Sequence, residues 1–356
     1  MYRESVPERH RPMLNLQRPM LNFDEQRFLS IQSGAVGMAA EMHDVIGKVL
    51  DRGVTEVCFA GAGGAGILML PAVELLARRS SIRVSREIPA ELMLSDTRHV
   101  SEQTLIVLPS LSGTTSETIE ILEWAKRRGA TVLSLTGHAD TPVAEGADFS
   151  FTNFAEDDTS SESFYLQSLL LALAVLDQRD ELAGYGDLIT ELEGVPELLL
   201  EVKRAFEPEA RGVASRIAAE PWHIITGAGA VWPEAWYYGM CILEEMQWIR
   251  TRPVHASDFF HGTLELVEQG VSVITMKGED SARPLVDRVE RFVAQHTDKL
   301  LSFDTAELAQ GQLSHRARGL VSPVLLATVL ERVDAHLEVI TDHPLTTRRY
   351  YRRVEY

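Results

Sequence analysis

The chain has almost no cysteine: Cys58 and Cys241 are the only two in 356 residues. Both sit in apolar text, and so few thiols exclude a disulfide framework and a cysteine-ligated metal cluster. The eleven histidines contain no HxH or HxxxH pair, so no metal-ligand spacing is present. Basic residues are in deficit as well, 34 Lys and Arg against 52 Asp and Glu, for a formal charge of -18. Nucleic-acid binding rests on cations that neutralise phosphates, so this balance disfavours a long polyanion as partner. A small anion is still admissible, because a loop of backbone N–H groups binds one whatever the net charge. There is no G-x-S-x-G elbow and no P-loop lysine. Long apolar runs are missing too. The stretch 164–176 is interrupted by Gln167 and Ser168 and is too short for a bilayer, so it reads as a core helix. The first 26 residues are Arg-rich and lack the apolar segment of a secretory signal. A soluble cytoplasmic protein with no membrane partner, no metal and no cofactor is expected.

What is present is a strand–helix alternation that occurs twice. Strand text at Thr55 to Phe59 leads through glycines into an apolar helix, Ile67 to Arg79. Strand Leu105 to Leu108 opens helix Ser116 to Arg128, and strand Val132 to Leu135 follows. In the second half, Trp222 to Gly229 echoes Val57 to Gly63 at a shift of about 166 residues, and strands Val271 to Met276 and Leu300 to Phe303 keep nearly the same register. Strands alternating with helices of this length imply an α/β fold of two tandem, doubly wound parallel sheets. The expected division is an N-terminal tail 1–34, a first domain 35–186, a linker helix and second domain 187–340, and a C-terminal tail 341–356. The N-terminal tail carries a duplicated Arg-Pro-Met-Leu-Asn, at 11–15 and 18–22.

Three motifs can carry chemistry. Ser110-Leu111-Ser112-Gly113-Thr114-Thr115 joins a strand to a helix N-terminus, where unpaired N–H groups and the positive dipole end favour an anion. Capping that helix needs one hydroxyl, and this loop with Ser116 offers five. The same place in the second repeat reads Lys277-Gly278-Glu279-Asp280-Ser281, where carboxylates oppose an anion. One anion site per chain is therefore expected. The second motif, Gly61 to Gly66 with Glu87 beyond it, fits the G-x-G-x-x-G dinucleotide fingerprint. Its counterpart Gly227-Ala228-Gly229 lacks the third glycine, and a dehydrogenase leaves the hydroxyl loop unexplained. The third is Glu244-Glu245 on a helix expected over Trp236 to Ile249, followed by His261-Gly262. A carboxylate set in an apolar helix face gains a raised pKa suited to acid–base work, and His261 supplies a proton donor near neutral pH. The competing readings are a solvated helix face for Glu245 and a core or interface histidine for His261. Trp232, Trp236, Tyr237 and Tyr238 read as packing aromatics.

The doubled strand–Gly–helix unit with its S-x-S-G-x-T loop resembles the sugar isomerase (SIS) family, whose domains are flavodoxin-like and bind phosphosugars. Glu245 and His261-Gly262 resemble the isomerase half of glucosamine-6-phosphate synthase. Three stretches, Glu245 to Ile249, Phe259 to Glu265, and His343 to Tyr350 with Val354-Glu355-Tyr356, are more similar still to the fructosamine-type 6-phosphate deglycases. The resemblance implies that Ser110, Leu111, Ser112, Gly113 and Thr115 hold a sugar phosphate. It implies that Glu245 moves a proton between C1 and C2 while His261 assists ring opening. It further implies substrate contacts from Gly63, Gly64, Ser161 and Arg349, and a homodimer with the active site at the subunit interface. The synthase C-G-T-S turn is Ala62-Gly63-Gly64-Ala65 here, without hydroxyls. The synthase's C-terminal lysine is replaced by Arg348 or Arg349, which holds charge but forms no Schiff base. A deglycase of 6-phosphorylated Amadori compounds is the function implied. The alternative is an aldose–ketose isomerase of a C6-anionic sugar, and a non-enzymatic phosphosugar sensor is disfavoured because no basic helix-turn-helix text precedes residue 35.

Overall fold

A computed structural model describes residues 19–95, 100–156, 158–351 and 353–355. The first copy of the duplicated N-terminal segment lies outside these residues. Two helices lead in, α1 (Glu25–Gly37) and α2 (Ala39–Asp51). Asp24 caps α1 by accepting the Arg27 N–H. The first sheet then builds through β1 (Glu56–Ala60), α3 (Gly63–Ile67), α4 (Leu70–Arg79), β2 (Arg83–Glu87), α5 (Pro89–Leu94) and β3 (Thr104–Ser110). It continues with α6 (Ser116–Arg127), β4 (Thr131–Thr136), α7 (Pro142–Gly146) and β5 (Phe149–Thr152). Three long connecting helices follow: α8 (Ser160–Gln178), α9 (Tyr185–Glu193) and α10 (Val195–Ala218). The second sheet comprises β6 (Trp222–Gly227), β7 (Arg250–His255), β8 (Ser272–Lys277) and β9 (Leu300–Asp304). Between them stand α11 (Trp232–Tyr237) and α12 (Arg283–Val293), and α13 (His315–Thr341) closes the fold.

Both sheets are parallel and share one winding. The first runs β2-β1-β3-β4-β5 and the second β7-β6-β8-β9. Each therefore reverses direction beside its first strand, the switch point at which doubly wound folds bind ligands. Strands β1 and β3 are buried at every residue, as expected of central strands covered on both faces. The strands without sequence signal are edge strands. β2 reads Arg-Val-Ser-Arg-Glu, and β7 contains Pro253 paired with Ile225. Polar residues and proline are admissible there because one side of an edge strand forms no ladder.

The halves share one hydrophobic core. Helix α8 packs against α1, α2 and α4 of its own half and against α13 of the other, while α10 lies along α13. Its stretch 164–176 is buried throughout, so the long apolar run is core. At the centre of this packing, fully buried Lys203 on α10 pairs with Glu162 of α8 at 3.0 Å and with Glu331 of α13. Next to it, Arg332 and His336 of α13 hold Glu207 of α10 at 2.7 and 3.0 Å. Among the described residues no helix is long and apolar enough to cross a membrane.

Candidate functional site

The hydroxyl loop is rigid. Its Gly113 has φ +62°, and a Cβ there would lie 2.1 Å from Thr141 Oγ1, so no other residue fits. The Gly113 N–H donates to Ser110 Oγ at 3.2 Å, and its carbonyl accepts the Val143 N–H at 3.2 Å. The Leu111 carbonyl accepts the Gly137 N–H at 3.0 Å. Ser110 is buried and its oxygen is turned into the loop, so it shapes the turn. Ser112 Oγ accepts from the Thr114 N–H at 3.3 Å and the Thr114 hydroxyl at 3.1 Å. Thr115 occupies the N-cap of α6 with no capping bond from its side chain, and it is exposed. The helix-cap reading thus loses its main support. Ser112 and Thr115 remain the hydroxyls in position for an anion at the α6 N-terminus.

The counterpart loop carries its own anion. Asp280 accepts the Ala230 N–H and the Ala282 N–H, both at 2.7 Å, where α12 is about to begin. Its carboxylate lies so close to Gly229 that a Cβ there would meet Oδ2 at 2.2 Å. Glu279 is clamped by Arg318 through bonds of 2.8 and 2.7 Å. In the second repeat these backbone N–H groups are therefore taken by a carboxylate of the protein itself. A cavity of about 1080 Å³ opens between α4, α8 and this loop, and it contains none of the expected site residues.

The glycine run follows packing. A Cβ on Gly66 would sit 2.3 Å from the Gly61 carbonyl oxygen, and one on Gly64 would sit 2.8 Å from Tyr237 Cε2. Helix α3 is only five residues long. The glycines let this short turn touch itself and the ring of Tyr237 from the other half, which accounts for the dinucleotide-like spelling. Gly63 takes φ +58° at the start of α3. Ser161 in the first turn of α8 donates to Tyr237 Oη at 3.1 Å, so Gly64 and Ser161 are brought to one residue. Nothing in the sequence had marked Tyr237 for that role.

The acid–base segment differs from its expected form. The helix expected over Trp236 to Ile249 is α11 followed by a π-helical segment, Tyr238–Met246. The Gln247 N–H reaches back five residues to the Ile242 carbonyl at 3.1 Å. Wide turns of this kind cluster at functional sites. Glu245 stands at its end with a side chain 37% exposed, and Arg348 Nε donates to its Oε1 at 2.9 Å. It is ion-paired at the surface, which corrects the expectation of a carboxylate set in an apolar face. The carboxylate that is so placed is Glu234, on the preceding α11. It is fully buried, burial pushes its pKa up to about 8, and Tyr165 Oη donates to it at 2.7 Å. Glu244, for its part, accepts from the backbone and hydroxyl of Thr251 at 3.2 and 2.7 Å. Burial also pushes the thiols of Cys58 and Cys241 up, so neither is a nucleophile.

His261 ends a single 3-10 turn, Asp258–His261, before Gly262 at φ +144°. It is exposed, and no hydrogen bond or ion pair joins it to another described residue. The C-terminal tail folds back on the Glu245 segment. Gln247 receives the Thr341 hydroxyl at 2.8 Å and donates to the His343 carbonyl at 2.7 Å. This docking resolves Arg348 from Arg349. Arg348 reaches Glu245, while Arg349 lies over the Trp248 ring at 4.1 Å.

Residues 82–177, in the first half of the chain, match the SIS domain. The chain is similar to fructosamine deglycase FrlB of Bacillus subtilis, 28% identical over 323 residues that cover 89% of this chain and 96% of that protein. It is 26% identical to fructoselysine 6-phosphate deglycase of Escherichia coli over 87% of this chain and 89% of that protein. In structure it is similar to a candidate phosphosugar isomerase from Bacillus subtilis, with a TM-score of 0.84 and 25% identity over 90% of this chain and 99% of that one. The C-terminal domain of glucosamine-fructose-6-phosphate aminotransferase from Francisella tularensis shares the fold, with a TM-score of 0.76 and 16% identity over 90% of this chain and 97% of that one. The deglycases and the aminotransferase are enzymes.

Proposed function

We propose that the protein is a deglycase that cleaves a 6-phosphorylated fructose-amine to glucose 6-phosphate and an amine or amino acid. The observation that carries this reading is the likeness to two deglycases along nearly the whole chain. The docked tail, which sets Arg348 on Glu245, agrees with it. The phosphate end of the substrate lies on Ser112, Gly113 and Thr115 at the α6 N-terminus. His261 assists opening of the sugar ring. Loss of a C1 proton to a base then gives the enaminol, and Glu245 delivers a proton to C2. The product is an imine at C1, and water adds there to release the amine and leave the aldose. No cofactor enters this sequence of steps.

We place the active site at a homodimer interface, and the exposure of His261 supports this. A partner subunit would bury the imidazole and exclude water, which strengthens its hydrogen bonding to the sugar. The test is incubation with fructose-amino-acid 6-phosphates and assay of glucose 6-phosphate. Turnover by Glu245→Gln at the normal rate would overturn the assigned role. The second reading, an aldose–ketose isomerase, is favoured by the candidate phosphosugar isomerase among the structural relatives. It predicts interconversion of a phosphosugar with no amine released.

A further inference from the structure

The two halves repeat in more than strand order. Gly63 after β1 and Gly229 after β6 both take a left-handed backbone, at φ +58° and +62°. Thr115 holds the N-cap position of α6 and Ala282 that of α12, so Gly113 and Asp280 each stand two residues before it. The contacts are reciprocal as well. Helix α11 packs on α3 of the first half, and α4 packs on the 229–231 turn of the second. The cavity of about 1080 Å³ is lined by α4, Ala230 and Asp280. It therefore lies where an approximate two-fold places the counterpart of the candidate site, at the switch point of the second sheet.

Its charges are reversed. The segment that follows β6 carries Glu244-Glu245 near its end, whereas α4, which follows β1, ends in Arg78-Arg79. The two pairs correspond to within one residue at the repeat shift. Most charge along the cavity is cancelled inside the protein. Glu74 holds Arg78, Asp304 holds Arg283 and Arg318 holds Glu279, each at 2.7 Å. Glu181 is taken by Ser80, Ser81 and Arg179. Among the described residues, that leaves Asp280, which accepts only backbone N–H groups, Arg79, which has no ion pair, and Arg316, which donates to the Ala183 carbonyl at 2.7 Å.

Helix α8 lines the cavity from Tyr165 to Leu176, a span of about 16 Å at the usual helical rise. Tyr165 bonds Glu234, four residues beyond Ala230, and so marks the Asp280 end. Past Leu176 the chain reaches Glu181, bonded to the serines that follow Arg79, and then Ala183, bonded to Arg316. The wall between is aliphatic, with Leu75, Leu169, Leu173, Leu320 and Pro323. Largely apolar hollows with a few directed polar groups are where small molecules bind.

We infer that this cavity is a second small-molecule site and that it takes a zwitterion. Its ammonium group meets Asp280, its carboxylate meets Arg79 and Arg316, and an aliphatic chain between them lies on the leucine wall. The ω-amino acids have that order of groups. The reaction at the first site does not enter, so the glucose 6-phosphate assay and this site stand or fall separately.

Calorimetry on the intact protein tests it, with 6-aminohexanoate and 8-aminooctanoate beside hexanoate and hexylamine, which carry one charge each. The better of the two amino acids binds at least about tenfold tighter than either analogue, since each end adds a charge-assisted contact. Arg79→Gln, a change at an exposed position, weakens the amino acids and hexanoate about three- to tenfold and leaves hexylamine as it was. Asp280→Asn does the converse, and Ser112→Ala alters none of them. Equal affinity for all four probes reduces the cavity to an apolar hollow and overturns the zwitterion. Binding of none, as when a second copy of the chain covers the cavity, overturns the site. Binding lost in Ser112→Ala puts the ligand on the hydroxyl loop and overturns the proposal as well.

Discussion

Arg348 Nε lies 2.9 Å from Glu245 Oε1, and this contact ties the last segment of the chain to the end of the π-helical segment 238–246. A residue at position 348 thereby fixes the direction of a carboxylate at position 245. Proton transfer at carbon is sensitive to such placement, since a misdirected acid or base loses the benefit of proximity.

Arg348→Ala is therefore expected to lower kcat by about 10- to 100-fold with a smaller change in KM, because the proposed phosphate site lies on the hydroxyl loop and not on Arg348. Glu245→Gln should be more severe, on the order of 10²- to 10⁴-fold in kcat, the usual range for a lost acid–base group. Steady-state kinetics on a fructose-amino-acid 6-phosphate checks both. An Arg348→Ala variant that raises KM alone would place Arg348 on the substrate instead.

The hydroxyl loop makes a second prediction. The glycine turn supplies no hydroxyl, since it reads Ala62-Gly63-Gly64-Ala65, so in the proposed site Ser112 is expected to carry more of the phosphate grip than in a site with two hydroxyl turns. Ser112→Ala should weaken binding of a sugar phosphate about tenfold, as read by calorimetry. An unchanged dissociation constant would reduce the loop to a helix cap.

Lys203 predicts a stability effect. It is buried between Glu162 and Glu331, and although burial opposes its charge, the two carboxylates outweigh that and raise its pKa. Lys203→Met leaves Glu162 without its cation and Glu331 with Arg332 alone, which costs about 3–5 kcal/mol. Chemical denaturation would register the loss. A variant as stable as the parent would mean that the two acids take up protons at little cost.

Glu234 predicts a pH dependence. Its folded-state pKa is pushed up to about 8 from an ordinary 4.5 by burial, so the folded state favours the protonated acid. That contribution is fully present below about pH 4.5 and declines as pH rises to about 8, at roughly 1 kcal/mol per pH unit. Glu234→Gln keeps an acceptor for the Tyr165 hydroxyl and removes the titration. The variant should lose less stability than the parent between pH 5 and 8, as thermal denaturation across that range will show. Parallel curves for the two proteins would contradict the assignment.

Much of this molecule could be read along the chain. The central strands declared themselves because both faces are buried, leaving continuous apolar runs such as Leu105 to Leu108. The repeat was legible because each half needs the same strand–turn–helix order to cover its sheet. The hydroxyl loop was legible because a turn that opens a helix is local, built by consecutive residues. Edge strands β2 and β7 were silent, since polar residues are tolerated there.

The sequence alone could not decide matters that depend on which distant groups meet. It offered Glu245 as the carboxylate in an apolar face, yet tertiary packing buries Glu234 and leaves Glu245 at the surface with an arginine. It left Arg348 and Arg349 equivalent, and only the docked tail assigns one to Glu245 and the other to Trp248. It showed acidic residues in the second loop but not that Asp280 takes the backbone N–H groups of Ala230 and Ala282. Local sequence determines backbone shape over a few residues. Burial and charge pairing are settled by contacts across a hundred residues or more, and those exist only once the two halves have packed together.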